Sequence, residues 1–259
     1  MGSKSHPFFS YLNHWLLKQD RHSLQSPKVF QLFEGLKAFS EVKKEQDLDI
    51  EDIRINFLHD NREIEILDLG AGSKKVPGMH RKISRVTKYS TSSRKFNQLY
   101  QYFASLTPTN TILELGTCMG LNARYLSKVC KGKVYTFEGS KELAKVAFEK
   151  DLPENITPII GPIETNLPDF LEEISPIDFA LIDANHTYEG TVNYFQNLVK
   201  HTHSKSIIAV GDIHWSKGME KAWKEIKEHT LVKLTLDFYE CGIVFFDYPA
   251  EKSHFILDY

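Results

Sequence analysis

The sequence predicts an α/β protein: a doubly wound, mostly parallel seven-stranded sheet with an antiparallel C-terminal strand, preceded by a helical N-terminal extension. From about residue 92, short apolar stretches alternate with amphipathic helical stretches, which is typical of parallel strands joined by helices. The stretches 232–248 and 254–259 are strand-rich, and no helical pattern separates LTLDFY from GIVFF. This ending predicts an antiparallel pair that closes the sheet.

The N-terminal extension is predicted to span residues 1–91. In PFFSYLNHWLLKQD, Phe8, Leu12, Trp15 and Leu16 have helical spacing, and we expect this stripe to pack on the rest of the protein or on a partner subunit, as in a homodimer. A second helix should begin at Pro27, because Ser26 can cap it. A basic loop is predicted over residues 64–90.

The main domain is predicted to span residues 92–259 and to begin with an amphipathic helix over 92–106. The predicted strands are TILELG, KVYTFEG, ITPIIG, IDFALIDA and SIIAVGDI, and the helices between and after them cover 120–129, 141–150, 164–173, 189–200 and 217–229. Each strand is short and apolar, as expected for strands that are buried on both faces.

Composition excludes several classes of protein. The formal net charge is −2, without the basic excess of a nucleic-acid-binding protein. No apolar run approaches the roughly 20 residues of a membrane span. The N-terminus lacks the pattern of a signal peptide, and the three cysteines have no framework spacing, which favours reduced thiols. We therefore expect a cytoplasmic protein with a small-molecule partner.

Two glycine turns compete for the role of a nucleotide-binding turn. TILELGTCMG joins a strand to a helix, with Gly116 and Gly120 in the turn, and the next strand ends in Glu138, which could accept two ribose hydroxyls. EILDLGAGS is followed by Pro77 and Gly78, which break a helix, and no strand with a terminal acid follows. The sequence favours the turn at 116–120. The DLGAGS stretch at 68–73 then belongs to the basic loop, in which Arg81 and Lys88 are candidates for positioning a polar or anionic substrate.

The stretches ILELGTCMG, TFEGS, FALIDANHTYEG and AVGDIHWSKGMEKAW together resemble the Rossmann-like class I methyltransferases that use S-adenosyl-L-methionine (SAM). The resemblance covers about residues 95–250 and is strongest to the O-methyltransferases that include metal-dependent catechol and sugar enzymes. Residues 1–90 resemble the N-terminal part of uncharacterised bacterial proteins of this type. The resemblance implies that Glu138 binds the ribose, that Gly161 and Ile163 lie near the adenine, and that the methionine part contacts Glu114, Gly116, Thr117 and Gly120.

The loops after the fourth and fifth predicted strands carry the residues suited to methyl transfer to a hydroxyl. The resemblance implies that Asp183 contacts the cofactor and binds a metal, and that His186 is the candidate base. A hydroxyl acceptor needs a base to take its proton or a divalent cation to lower its pKa. Asp212 could supply a second ligand for Mg²⁺ or another divalent cation, but Gly211 stands where relatives carry an acid, so the metal stays open. His214 could add a ligand, and His214 and Trp215 are candidates for acceptor contact.

Three functions remain open from the sequence. The first is O-methylation of a small molecule, a sugar or a lipid headgroup. The second is a nicotinamide-dependent reductase, although G-T-C-M-G departs from the dinucleotide pattern and neither Tyr188 nor Tyr194 is followed by a lysine four residues later. The third is a non-catalytic SAM-binding or scaffold protein, which Gly211 would favour.

Overall fold

The N-terminal part of the chain is helical. The computed structural model describes residues 6–66, 78–174 and 176–259. Its first elements are α1 (His6–Leu17), α2 (Pro27–Gln46), α3 (Leu48–His59), β1 (Glu63–Glu65), β2 (His80–Lys82) and α4 (Ile83–Ser90). The hydroxyl of Ser26 accepts a hydrogen bond from the amide of Val29, which confirms the predicted start of α2.

The remaining elements alternate between helix and strand. They are α5 (Arg94–Ser105), β3 (Thr111–Leu115), α6 (Leu121–Ser127), β4 (Lys133–Glu138), α7 (Lys141–Ala147), β5 (Ile156–Ile160), α8 (Ile163–Glu173), β6 (Ile177–Ile182), α9 (Tyr188–Val199), β7 (Thr202–Gly211), α10 (Lys217–Glu228), β8 (Leu234–Asp237), β9 (Cys241–Phe245) and β10 (Ser253–Ile256). The predicted alternation is confirmed.

The main sheet has the strand order β10-β8-β9-β7-β6-β3-β4-β5. Strands β3 to β7 are mutually parallel, and β9 runs antiparallel to both β7 and β8. The predicted fold class is confirmed, but the predicted count of seven strands is one too few. The stretch at 254–259 contributes an eighth strand, because β10 pairs in parallel with β8 at the edge of the sheet.

Both faces of the main sheet are covered by apolar side chains. On one face, α2 and α5 pack against the strands, and Val29, Leu36 and Phe103 are fully buried there. On the other face α8, α9 and α10 contribute a second cluster that includes Phe195 and Trp223. Helix α2 therefore shares a core with the sheet, and the boundary predicted at residue 91 does not separate two cores.

The predicted basic loop at 64–90 is largely ordered structure in the described residues. Strands β1 and β2 pair antiparallel, and α4 buries Ile83 and Val86. These two residues are three positions apart, which places them on one face of a helix. The segment therefore forms a helix with a buried apolar face, although it is rich in basic residues. The DLGAGS stretch at 68–73, with Lys74 and Lys75, lies outside the described residues.

Helix α1 forms where it is predicted, but its apolar stripe does not pack on the rest of the chain. Phe8, Leu12, Trp15 and Leu16 are exposed, and the residue that α1 buries is His14. The helix is attached through its polar side, which binds acidic side chains of the main domain. The predicted homodimer stays a prediction. Among the described helices, none has the length and apolarity needed to cross a membrane.

Candidate active site

The candidate site lies where the carboxyl ends of β3, β4, β6 and β7 meet. Strands β3 and β6 are neighbours, and the chain continues from β3 toward β4 and β5 but from β6 toward β7. The sheet therefore has its topological switch point between β3 and β6, and ligands of open α/β sheets bind in the crevice outside such a point.

The turn after β3 can be built only with glycine at two positions. Gly116 has φ +105°, and a Cβ atom there would lie 2.3 Å from the carbonyl oxygen of Asp183. Gly120 has φ +68°, and α6 begins at the next residue. Both positions need the left-handed region that glycine adopts without strain. The turn thus has the strand, close backbone approach and following helix predicted for 111–129.

Glu138 ends β4 beside this turn. Its Oε2 accepts a hydrogen bond from the amide of Cys118 at 2.8 Å, and its Oε1 accepts one from the amide of Ser140 at 2.9 Å. These two bonds fix the half-buried carboxylate beside the turn. The amide of Gly161, which has φ +129°, donates to the carbonyl oxygen of Glu138 at 2.9 Å. The predicted ribose and adenine positions are therefore adjacent, and Ile163 opens α8 two residues later.

Glu114 and Thr117 lie beneath the turn. The hydroxyls of Thr117 and Thr136 are hydrogen-bonded to each other, and the Thr136 hydroxyl also donates to Oε2 of Glu114. Burial raises the pKa of Glu114 well above its usual range. Among the described residues, its buried Oε1 has no hydrogen-bond partner. Direct contact of Glu114 with a cofactor stays a prediction.

Asp183, His186 and Asp212 form a cluster at the ends of β6 and β7. Each offers one ligand atom, and these atoms lie within 4.8 Å of one another. Nδ1 of His186 is 3.7 Å from Oδ2 of Asp212. The sequence predicted Asp183 and Asp212 as a pair, and the structure brings His186 to them.

The backbone of the two loops is strained at the cluster. Asn185, His186 and Asp212 have φ values of 67°, 51° and 54°. A non-glycine residue in the left-handed region costs roughly 1–3 kcal/mol, and such strain tends to gather at functional sites. The backbone amide of Asp212 donates to the carbonyl oxygen of Glu240 at 2.6 Å, and the side-chain amide of Asn185 donates to Glu164 at 3.1 Å. Each loop is therefore fixed by a hydrogen bond to another segment of the chain.

The cluster carries an excess of negative charge. The pKa of Asp183 is raised to about 6, chiefly by burial and also by the nearby charge of Asp212, against the opposing effects of His186 and of a hydrogen bond from the Ser92 hydroxyl. A cation bound among the three side chains would relieve this repulsion. Ser92 is not predictable from a local motif, because it reaches Asp183 from the segment before α5.

The other predicted substrate residues lie in different surroundings. Trp215 is beside the cluster, with its ring centroid 6.1 Å from that of His186. His214 is not among the ligands, because its ring nitrogens face Asp237 at 2.9 Å and Glu220 at 3.2 Å.

Arg81 and Lys88 are the two predicted substrate contacts in residues 64–90. Arg81 is buried in the small sheet, where its Nε donates to the carbonyl oxygen of Gly78 at 2.8 Å. Lys88 lies over the ring of Tyr89. Their role in substrate binding stays a prediction.

Comparison with known proteins supports the same assignment for the central part of the chain. Residues 113–213 match a family model described as "Methyltransferase domain". No curated protein matches the chain significantly.

Solved structures share the fold at low sequence identity. An O-methyltransferase from Bacillus cereus in complex with SAH has 19% identity and a TM-score of 0.51, covering 60% of this chain and 82% of its own. TomG from Streptomyces achromogenes, an O-methyltransferase of tomaymycin synthesis in complex with SAM, has 16% identity and a TM-score of 0.51, covering 61% and 82%. A Staphylococcus aureus protein described as a candidate caffeoyl-CoA O-methyltransferase has 12% identity and a TM-score of 0.57, covering 81% and 97%.

The family match and the fold agree where they overlap. The matched residues run from β3 to the loop after β7, and thus contain the glycine turn, Glu138 and the acid–histidine cluster. Residues 113–213 therefore match a methyltransferase domain, and the fold is similar to that of the O-methyltransferase structures named above.

Proposed function

We propose that this protein is a SAM-dependent O-methyltransferase that acts on a hydroxyl group of a small molecule. The observation that carries the proposal is the contact between the glycine turn and the acid–histidine cluster. Gly116 lies against the backbone of Asp183, whose carboxylate belongs to the cluster. A cofactor held at the turn would thus lie beside groups that can orient and deprotonate a hydroxyl.

SAM fits the residues around the turn. The carboxylate of Glu138 is fixed by the amides of Cys118 and Ser140 and can accept hydrogen bonds from two ribose hydroxyls. The B. cereus and TomG structures, which share this fold, contain SAH and SAM respectively. The glycine turn also departs from the dinucleotide-binding pattern, which disfavours the nicotinamide-dependent alternative.

The cluster also fits a divalent cation. Two carboxylates and an imidazole lie close enough to share one ion, and a bound cation would offset both the burial of the Asp183 carboxylate and its repulsion with Asp212. A ligand set with one histidine suits Mn²⁺ or another transition metal better than Mg²⁺. Such a cation supplies a positive charge that lowers the pKa of a bound hydroxyl.

His186 has two candidate roles. The sequence predicts a base, which needs a free lone pair to take the acceptor proton. The proximity to Asp183 and Asp212 favours a third metal ligand. Its left-handed backbone holds the ring at the mouth of the crevice in either case.

Calorimetric titration of the purified protein with SAM, SAH and NADPH tests the proposed function. We expect SAM and SAH to bind in the micromolar range and NADPH not to bind. Tight NADPH binding without SAM binding would contradict the proposal and favour a reductase. Binding of SAM without methyl transfer to any hydroxyl compound in a broad acceptor screen, with or without Mn²⁺, would favour a non-catalytic SAM-binding protein.

A further inference from the structure

Helix α1 has an apolar face that points away from the rest of the protein. This face, the α1 stripe, consists of Phe8, Phe9, Leu12, Trp15 and Leu16, which are between 38% and 65% exposed. Their spacing of three, four and seven positions places them along one side of the helix. A contiguous set of exposed apolar side chains of this kind is typical of a site that contacts a protein or a membrane.

Polar contacts on the opposite side of α1 fix its orientation. His6, Ser10 and His14 follow one another at intervals of four residues, so they form a line along the helix. The Ser10 hydroxyl donates to Glu220 at 2.6 Å, and Nε2 of His6 lies 3.0 Å from the same carboxylate. Nε2 of His14 lies 3.5 Å from Oδ1 of Asp237. The α1 stripe cannot turn inward unless these contacts break.

Both ends of α1 are also attached to the main domain. At the start of the helix, the Tyr239 hydroxyl donates to the carbonyl oxygen of Pro7 at 3.2 Å. Beyond its end, the amide of Gln19 donates to the carbonyl oxygen of Ile256 at 2.7 Å. A helix attached in this way presents a preorganised surface, so a contact with the α1 stripe costs little ordering entropy.

The α1 stripe is too small to hold a second copy of the chain by itself. A helix of 12 residues is about 18 Å long and about 10 Å wide, so its outer half offers roughly 300 Å². Each partner of a stable protein interface buries about 800 Å². The surroundings add little, because Leu231 is the one large apolar side chain that is exposed among the described residues from 214 onward, and it lies beyond the end of α10 that is far from Glu220.

The composition of α1 suits a phospholipid surface. Its stripe combines leucines with Phe and Trp side chains, and aromatic side chains favour the boundary between headgroups and acyl chains. No acidic residue precedes Asp20 in the chain, and Lys18 directly follows the helix. The phosphate groups of a bilayer would therefore meet no negative charge on α1 itself.

We propose that the α1 stripe docks this protein on the surface of a phospholipid bilayer. Helix α1 lies in the plane of the interface, and the side chains of its stripe insert below the headgroups. The contact is reversible, because one short helix inserts far less apolar surface than a membrane span does. This inference is independent of the proposed function, since none of the residues assigned to the cofactor or to the acid–histidine cluster lies on α1.

The test is co-sedimentation of the purified full chain with vesicles of phosphatidylcholine and phosphatidylglycerol. The stripe variant is Phe9→Ser with Leu16→Ser, and the matched control is Val42→Ser with Leu231→Ser, which removes two apolar side chains that are exposed elsewhere. We expect the wild type and the control to bind equally, and the stripe variant to bind at least tenfold more weakly, because it loses two inserted side chains. Urea unfolding should show the same free energy of unfolding for all three proteins, since all four side chains are exposed.

Tryptophan fluorescence identifies the part of the protein that meets the lipid. Phosphatidylcholine with brominated acyl chains quenches a tryptophan that inserts among these chains. We expect quenching of the wild-type protein, and loss of most of this quenching in Trp15→Phe, which should still bind the vesicles. The remaining tryptophans, Trp215 and Trp223, lie outside the α1 stripe, and Trp223 is buried.

Four results would overturn this inference. The first is wild-type protein that does not sediment with the vesicles, and the second is equal binding by the wild type and the stripe variant. The third is quenching that persists undiminished in Trp15→Phe. The fourth is a wild-type dimer in analytical ultracentrifugation that the stripe variant converts to a monomer, which would assign the α1 stripe to a second copy of the chain.

Discussion

Gly211 lies so close to Asp183 that a Cβ atom on Gly211 would be 2.3 Å from Oδ1 of the Asp183 carboxylate. In the sequence, Gly211 stands where relatives carry a metal ligand. The structure gives a different reason for the glycine, because the Asp183 side chain occupies the space that a side chain at 211 would need. The cluster is completed instead by His186, from the loop after β6.

Gly211→Ala should weaken metal binding. The added methyl group must displace the Asp183 carboxylate, which we expect to lower Mn²⁺ affinity at least tenfold and to lower the free energy of unfolding by about 1–3 kcal/mol. Mn²⁺ titration followed by electron paramagnetic resonance measures the affinity. Gly218→Ala is the control, since its Cβ atom would have no neighbour closer than 3.6 Å. Unchanged Mn²⁺ affinity in Gly211→Ala would contradict the assigned geometry.

Gly116→Ala should have the complementary effect. Its Cβ atom would meet the backbone oxygen of Asp183 rather than the side chain, and its φ of +105° disfavours alanine. A backbone atom cannot rotate away, so we expect loss of SAH binding and a free energy of unfolding lowered by about 3 kcal/mol or more. Calorimetry and urea unfolding measure these two quantities. Gly116→Ala protein that binds SAH as tightly as Gly211→Ala does would show that this turn does not hold the cofactor.

His186→Gln separates the two roles proposed for His186. If the imidazole is a metal ligand, the variant should bind Mn²⁺ about tenfold or more weakly, with SAH binding unchanged. His201→Gln is a control, because His201 lies at the opposite end of β7 from the cluster. Wild-type Mn²⁺ affinity in His186→Gln would contradict the ligand role and leave His186 as the predicted base.

Asp237→Asn should destabilise the attachment of α1 in a pH-dependent way. The buried Asp237 carboxylate accepts hydrogen bonds from His214 and from Nε1 of Trp223, and it lies 3.5 Å from Nε2 of His14. Removal of its charge leaves His214 facing a neutral partner, so we expect a loss of about 3 kcal/mol in the free energy of unfolding near neutral pH.

The pKa shifts set the pH window of this loss. Burial acts to raise the pKa of Asp237, but the effect of His214 is larger and holds the pKa of Asp237 below 3.8. Burial acts to lower the pKa of His214, but the effects of Asp237 and Glu220 are larger and hold the pKa of His214 above 6.5. Stability from the carboxylate is lost as the pH falls through its depressed pKa, and stability from the imidazolium is lost as the pH rises through its raised pKa. Burial lowers the pKa of His14, so the His14 ring lowers the free energy of unfolding only as the pH falls.

The difference between wild type and Asp237→Asn should therefore be largest between these two pKa values and smaller on either side. Urea unfolding at several pH values measures it, with the exposed Asp169→Asn as the control. A difference that does not vary with pH would contradict the ionic character of the contact.

The fold was predictable from residue 92 onward because its signals are local. Each strand is a short apolar run, and three of the helices follow a capping residue, at Ser140, Thr187 and Ser216. The strand β10 was not counted, because its pairing with β8 depends on a chain return that no local pattern encodes. The attachment of α1 through His14 was also not predictable, since helical periodicity identifies an apolar face but not the partner of the polar one.

The candidate site was predictable in part for the same reason. Gly116, Glu138 and Asp183 each lie at the carboxyl end of a recognisable strand, and strand ends converge at the switch point of the sheet. Ser92 and Glu240 reach Asp183 and Asp212 through contacts between distant segments. His214 was predicted beside the metal but faces Asp237, because the turn after β7 directs its side chain to the opposite side from Asp212 and toward α10.

The most direct test of the central claim is a calorimetric titration with SAH of wild-type protein, Glu138→Gln and the control Glu172→Gln. Glu172 is exposed near the end of α8, far along the chain from the glycine turn. We predict micromolar binding to the wild type and control, and at least tenfold weaker binding to Glu138→Gln, since an amide accepts two ribose hydroxyls less well than a carboxylate. SAH affinity that is the same in all three proteins, or absent from the wild type, would contradict the assignment of the glycine turn and Glu138 as the cofactor site.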